Sequence, residues 1–139
     1  MQIACFLDTN ILIYAAAGKK DDPRKHAIAT DIVLTEFFSL SGQVLAEFYV
    51  NVTQKPKIAL SPKEIESWFN LLDEFPVAPV DAPLVRASVL HSLRYQISYW
   101  DAALIAAAER LGAPILYTED LNHGQTYGSV HVVNPFRAS

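Results

Sequence analysis

The chain has 139 residues, of which 51% are hydrophobic and 19% charged, and its formal net charge is −4. Such a composition predicts one folded domain and excludes the disordered and low-complexity classes. The acidic balance argues against a protein that holds nucleic acid through a broad basic surface, but it leaves open a site whose carboxylates bind cations.

The cysteine content and the length of the apolar runs set the expected compartment. Cys5 is the only cysteine, so no internal disulfide can form, and it lies in an apolar run where a buried thiol is expected. No window approaches the roughly 20 apolar residues of a membrane span, and the first residues lack a basic leader pattern. We therefore expect a single domain over residues 1–139, cytoplasmic and without a membrane anchor.

In the first half of the chain, predicted strands alternate with predicted helices. The first apolar run does not alternate with polar residues, which is typical of a parallel strand covered on both faces, and it ends at Asp8-Thr9-Asn10. Asp22-Pro23 has the pattern of a helix cap followed by proline in the first turn. The predicted elements are strands Ile3–Leu7 and Phe37–Leu40, and helices Ile11–Ala16, Pro23–Leu34 and Ser41 to Lys55-Pro56.

The second half continues the alternation. Ser61 and Glu64 form a capping box, and Pro76 and Pro79 confine the following strand to an edge of the sheet. The predicted elements are a helix from Ser61 through Leu72, a strand Val77–Val80, helices from Asp81 through Leu93 and from Ser98 to Leu111, and strands Ile115–Tyr117 and Val130–Val133. This order predicts an α/β sandwich on a parallel sheet.

Acidic residues fall where this sandwich gathers its helix starts and strand ends. Asp8 and the Glu119/Asp120 pair follow two apolar strands, and Asp101 lies three residues after the cap Ser98. Glu47 is six residues past Ser41, about 9 Å along the helix at about 1.5 Å per residue. Each has an ordinary explanation: Asp8 as a helix cap, Glu47 as a solvated side chain and Asp101 as part of a capping box. Together they predict an acidic rim at the edge where open α/β sheets bind ligands.

Such a rim favours a cation. Carboxylates about 4 Å apart repel by a few kcal/mol per pair, so a fold gathers them only if a cation or a shared proton offsets the cost. An all-oxygen site suits Mg²⁺ or Mn²⁺, and such a site activates water for attack on a phosphodiester. The histidines are scattered without a zinc pattern, at positions 26, 91, 123 and 131. The residues therefore predict metal-dependent phosphoryl hydrolysis.

Four segments resemble PIN-domain ribonucleases, and within them the VapC-like toxins of toxin-antitoxin pairs. They are F-L-D-T-N-I-L-I-Y at Phe6–Tyr14, Q-V-L-A-E-F-Y around Glu47, S-Y-W-D-A-A-L-I-A-A-A with Asp101, and L-Y-T-E-D-L-N-H-G at Leu116–Gly124. They cover nearly the whole chain in order. The resemblance implies a PIN-like fold with a central parallel sheet of four to five strands, flanked by helices on both faces.

The resemblance also implies an activity and partners. It implies cleavage of RNA by an endoribonuclease, a cognate antitoxin protein and a homodimer. The implied Mg²⁺ or Mn²⁺ ligands are Asp8, Glu47, Asp101 and Asp120, with Asn10 and Thr118 as polar supports; Glu119 is the alternative to Asp120 as the fourth ligand. A segment of the antitoxin is expected to cover the acidic rim with an Arg or Lys.

Two other functions stay open from the sequence. A non-catalytic PIN-fold module that binds RNA or protein would need none of these acids. A haloacid-dehalogenase-like phosphatase also ends its first strand in an Asp, as this chain does at Asp8. Its pattern requires a second Asp two residues later, where this chain has Asn10.

The basic cluster of Lys19, Lys20, Arg24 and Lys25 is either a solvated surface or a phosphate contact. The expectation of a homodimer also rests on apolar residues in excess of one small core, namely Phe37, Phe38, Tyr49, Trp68 and Phe69.

Overall fold

A computed structural model describes residues 2–54 and 60–137 and has a six-stranded, mostly parallel sheet flanked by helices. The strands are β1 Cys5–Leu7, β2 Phe38–Ser41, β3 Val77–Ala78, β4 Ile115–Tyr117, β5 Thr126–Tyr127 and β6 Val130–Val133. The helices are α1 Thr9–Ala17, α2 Pro23–Thr35, α3 Gly42–Gln54, α4 Pro62–Leu72, α5 Ala82–Tyr95 and α6 Tyr99–Arg110. The predicted α/β class is confirmed.

The sheet is centred on β1, and its strand order is β3-β2-β1-β4-β6-β5. Strand β1 pairs in parallel with β2 and β4, and β4 pairs in parallel with β6. The one antiparallel pair joins β5 to β6 through a hairpin whose turn holds Gly128 at φ 59°. The sequence predicted four to five strands and not the sixth, because β5 has only two residues and no apolar run marks it.

The helix starts follow the capping signals in the sequence. Side chains of Asp8, Asp22, Ser61, Asp81 and Ser98 accept hydrogen bonds from backbone amides at the starts of α1, α2, α4, α5 and α6. Helix α1 therefore begins two residues before the predicted Ile11, and β3 stops at Ala78, before Pro79. The predicted end of α3 at Lys55-Pro56 lies outside the described residues.

The core lies on both faces of β1 and β4. All three residues of β1 are buried, and so is the continuous run 102–108 of α6, whose five alanines allow close packing. Burial, with a smaller contribution from the charge of Glu36, raises the pKa of Cys5 to about 12, so the thiol stays neutral and acts as a small apolar side chain. Within residues 2–54 and 60–137, no helix is both long and apolar enough to cross a bilayer.

Most of the aromatic residues that suggested a self-association surface belong to the core instead. Phe38 is fully buried and stacks on Phe75, and both Trp68 and Phe69 pack against Phe48. Of that set only Tyr49 is exposed as a large apolar side chain. The exposed apolar residues cluster on α5 instead, at Val85, Val89, Leu90 and Leu93.

Candidate active site

The site is built around Asp8, which follows β1 at the carboxyl edge of the sheet. Its backbone amide donates to the Tyr117 carbonyl (3.0 Å), so the ends of β1 and β4 meet here. The side chain is only 5% exposed. One carboxylate oxygen accepts from the Thr9 amide at 2.6 Å and thereby caps α1. Asp8 is thus a cap, as its ordinary explanation required, yet only one of its two oxygens is used for capping.

The second oxygen of Asp8 is bound by two polar side chains from the motifs. The Thr118 hydroxyl donates to Asp8 Oδ2 at 2.7 Å, and the Asn10 amide nitrogen donates to the same oxygen at 3.2 Å. Thr118 is fully buried and also accepts from the Asp120 amide at 3.1 Å. The Asn10 nitrogen also donates to Asp120 Oδ2 at 3.2 Å. Asn10 and Thr118 therefore tie Asp8 to Asp120.

The electrostatics of Asp8 reveal which other acids are near. Burial raises its pKa from the ordinary 3.8 to about 6; the hydrogen bonds from Thr118 and Thr9 oppose this, and the charges of Asp120 and Glu47 add to it. Glu47 accepts from Gln43 Nε2 at 2.8 Å and, at a long 3.4 Å, from the Thr9 hydroxyl. Three of the predicted acids, Asp8, Glu47 and Asp120, thus share one electrostatic environment.

Asp101 is the fourth predicted acid. It lies in the first turn of α6, where its backbone amide donates to the cap Ser98 at 3.1 Å. The charges that raise the pKa of Asp8 are those of Asp120 and Glu47, whereas the charge of Asp101 contributes to raising the pKa of Tyr127, after burial. The role of Asp101 as a ligand remains a prediction.

Glu119 turns away from Asp8 and into a different network. Its two carboxylate oxygens accept from the Tyr14 hydroxyl and from Lys25 Nζ, both at 2.7 Å. Lys25 also donates to the Tyr14 hydroxyl at 3.2 Å, and its ammonium lies 5.4 Å from the ring centre of Phe136. The sequence offered Lys25 only as a surface charge or a phosphate contact, because nothing local links it to a residue 94 positions later.

Mg²⁺ or Mn²⁺ fits the Asp8–Asp120 cluster, judged by its donor atoms. All of them are oxygens, and the Asn10 amide oxygen is buried without a partner in the part of the chain that the structure describes. A cation would also offset the burial and the smaller repulsion from Asp120 and Glu47 that raise the pKa of Asp8. Among the described residues, no three Asp, Glu, His or Cys side chains form a ready cage. Mg²⁺ commonly uses one or two carboxylates and keeps several waters, so the cluster suits it.

An open pocket of about 690 Å³ adjoins the acidic cluster on the α3 side. Glu47 and Gln43 line it together with Tyr99 and Trp100 of α6. The two aromatic rings meet edge to face at 5.0 Å, and Trp100 is 63% exposed. The sequence alone does not separate a buried from an exposed tryptophan, so the exposure of Trp100 emerges only from the structure.

Comparison with known proteins identifies the family and supports the fold. A family model of the PIN domain matches residues 5–128, which is most of the chain. A comparison with curated proteins gave no match.

Several solved toxin structures share this architecture at low identity. VapC20 of Mycobacterium tuberculosis, a sarcin-ricin loop cleaving toxin, is 18% identical with a TM-score of 0.66, over 84% of this chain and 90% of that one. A toxin-antitoxin complex from Klebsiella pneumoniae is 19% identical with a TM-score of 0.68, over 95% and 98% of the two chains. VapBC2 from Rickettsia felis, bound to a DNA fragment from its promoter, is 16% identical with a TM-score of 0.64, over 94% and 97%. These structures show the fold, and with the family model they lead to one conclusion: the chain belongs to the PIN-domain family.

Proposed function

We propose that this protein is a metal-dependent endoribonuclease and the toxin of a type II toxin-antitoxin pair. The observation that carries the proposal is the buried Asp8 carboxyl, held at the sheet edge beside Asp120 and Glu47 with a pKa raised to about 6. A fold that only needed a helix cap would gain nothing from burying Asp8 beside two further acids, since their repulsion costs stability. Binding of a divalent cation would offset this repulsion and so account for the grouping of the acids.

Asp8 and Asp120 are the proposed primary ligands, with Glu47 and Asp101 at the flanks. A Mg²⁺ or Mn²⁺ ion held by these residues would lower the pKa of a water and stabilise charge on the phosphate oxygens. Thr118 and Asn10 fix the Asp8 carboxylate, so this ligand needs little reorganisation. The buried Asn10 oxygen can accept a hydrogen bond from a water, and the loosely held Glu47 Oε2 can accept a proton from it.

RNA is the proposed substrate. The family supports a nuclease, and the likeness to a toxin that cleaves the sarcin-ricin loop favours RNA. The pocket beside Glu47 offers Trp100 as a stacking surface for an unpaired base next to the acids. We therefore expect cleavage in loops or single strands, where bases can unstack.

A small antitoxin is the proposed partner, and a homodimer the proposed assembly, both in the cytoplasm. The likeness to toxin-antitoxin complexes supports the partner, and an Arg or Lys from it could occupy the place of the cation. Co-expression with the neighbouring reading frame should give a stable complex, whereas a chain harmless on its own would count against a toxin. The apolar face of α5 supports self-association. Light scattering that stays monomeric at tens of micromolar would contradict the dimer.

The decisive experiment is a cleavage assay on a panel of structured RNAs with Mg²⁺, with Mn²⁺ and with excess chelator. We expect cuts that require the metal and vanish in chelator. Full activity in chelator would overturn the metal mechanism. RNA binding without any cleavage would favour the second candidate, a non-catalytic PIN module; the observation in its favour is that no three acidic side chains among the described residues form a ready cation cage.

A further inference from the structure

Lys25 and Glu119 form a closed polar network beside the proposed metal site. Lys25 Nζ and the Tyr14 hydroxyl each donate to one oxygen of Glu119, so both oxygens are used. Both charged side chains are partly shielded, with 27% and 22% of their surface exposed. The Lys25 ammonium also lies over the rings of Tyr14 and Phe136, at 4.9 and 5.4 Å from their centres.

The Phe136 end of this network is anchored as well. Arg24 donates to the Phe136 carbonyl at 2.6 Å, and the Tyr14 and Phe136 rings meet edge to face at 5.0 Å. Lys25 therefore lies in a prepared position between two aromatic rings, with its charge directed at Glu119. Arg24 and Lys25, two residues of the predicted basic cluster, are used inside the fold.

The network matters because Glu119 and Asp120 are consecutive. Asp120 accepts a hydrogen bond from Asn10, and its charge acts on Asp8, whereas Glu119 is held by Lys25 and Tyr14. A free Glu119 would be a further carboxylate within reach of a cation bound at Asp8 and Asp120. An added ligand would displace one of the waters that such a site must keep for chemistry.

We propose that Lys25 is a positioning residue that holds Glu119 out of the cation site and thereby leaves Asp120 as the ligand from this loop. The proposal rests on the proposed function, because it assigns a role around the same metal site. Lys25 touches neither the cation nor the phosphate in this role. It acts through Glu119, and it sets the number of carboxylates that the cation meets.

The test compares three variants of the full chain. Lys25→Met keeps the stem that packs on the two rings but removes the charge. Lys25→Met with Glu119→Gln removes both charges, so the local net charge equals that of the parent. Arg110→Met is the matched control, because Arg110 forms a partly exposed ion pair with Asp81, at 2.9 Å, outside the proposed metal site.

Two quantities are measured, Mn²⁺ affinity by calorimetry without RNA and the kcat of RNA cleavage. We expect Lys25→Met to bind Mn²⁺ about tenfold more tightly, because the freed carboxylate adds a charged ligand. Its kcat should fall about tenfold, the low end of what the loss of a partner that orients metal ligands costs. The double variant should return both values to within about threefold of the parent, and Arg110→Met should change neither. A merely structural defect would not strengthen metal binding, and melting curves check that each variant is folded.

Several outcomes would overturn the role of Lys25. Unchanged Mn²⁺ affinity in Lys25→Met would do so, as would a double variant as defective as the single one. A higher KM with a weaker salt dependence and no rescue would make Lys25 a phosphate contact instead. Failure of the proposed function looks different: the parent would then cleave no RNA, while the Mn²⁺ affinities of the variants would still decide the role of Lys25.

Discussion

Glu119 and Asp120 are neighbours in one loop, yet their carboxylates lie in opposite electrostatic surroundings. Glu119 meets an ammonium at 2.7 Å and a tyrosine hydroxyl at the same distance. Asp120 shares an amide donor with the buried Asp8, and the ion pairs described for residues 2–54 and 60–137 include neither of them. Lys25 offsets the charge of Glu119. Asp8 and Asp120 lie close together without an ion-pair partner among the described residues. We therefore treat this uncompensated cluster as a candidate functional site.

The largest expected effect follows from removing the charge of Asp8, which no ion pair among the described residues offsets. Asp8→Asn keeps the size and capping ability of the side chain but loses the charge that holds a cation. RNA cleavage should fall by about a hundredfold or more, the scale on which a preorganised electrostatic contact contributes to kcat. The measurement is the initial rate of cleavage with saturating Mg²⁺ or Mn²⁺. Cleavage at the parental rate would make Asp8 a cap only and would favour the binding module.

The same substitution should act on stability in the opposite direction. The folded pKa of Asp8, about 6, exceeds its ordinary 3.8, so the folded state binds the proton more tightly than the unfolded chain. This contribution is complete below about pH 4 and is lost as the pH rises through 6, at a cost of about 3 kcal/mol. In chelator, Asp8→Asn should therefore gain on the parent between pH 4 and pH 7, by roughly 10 °C in melting temperature. A constant difference across that range would contradict the raised pKa.

Added metal should offset most of that advantage of Asp8→Asn at pH 7. A ligand that binds only the folded state stabilises it by about 2.7 kcal/mol at one hundred times its Kd. Mg²⁺ or Mn²⁺ should therefore raise the melting temperature of the parent and leave Asp8→Asn nearly unchanged. NaCl at equal ionic strength serves as the control for a general salt effect. Equal stabilisation of both proteins would place the cation elsewhere.

Removing a substrate contact beside the acids should have a smaller but measurable effect on RNA binding. Trp100→Ala should reduce binding of single-stranded RNA by about 1 to 3 kcal/mol, the contribution of one stacked base. Binding is followed by fluorescence anisotropy in chelator, where no cleavage occurs. Leu34→Ala is the matched control, because Leu34 is 76% exposed on α2 and does not line the pocket. Equal losses in both variants would exclude a stacking role for Trp100.

The sequence predicts the acidic rim because its signals are local. Where an apolar run ends at Asp8 or Thr118, the strand ends as well, and parallel strands bring those ends together. The choice between Glu119 and Asp120 is not local, since it depends on Lys25, 94 residues earlier. The exposure of Trp100 depends in the same way on how α6 packs. Pattern and capping therefore predict which residues reach the rim, and long-range contacts decide which way they face.

The smallest expected effect follows from removing the charge of Glu119, which Lys25 offsets. Glu119→Gln keeps one acceptor oxygen, for either Tyr14 or Lys25, and removes the ion pair, whose two side chains are about one quarter exposed. Partly exposed pairs of this kind contribute about 1 kcal/mol or less, and salt screens them. Glu119→Gln should therefore destabilise the protein slightly, in chelator at pH 7, and the loss should shrink in 1 M NaCl. Asp8→Asn should stabilise it under the same conditions. Denaturant unfolding of the two variants measures both signs, and stabilisation by Glu119→Gln would mean that Glu119 belongs to the repelling cluster with Asp8.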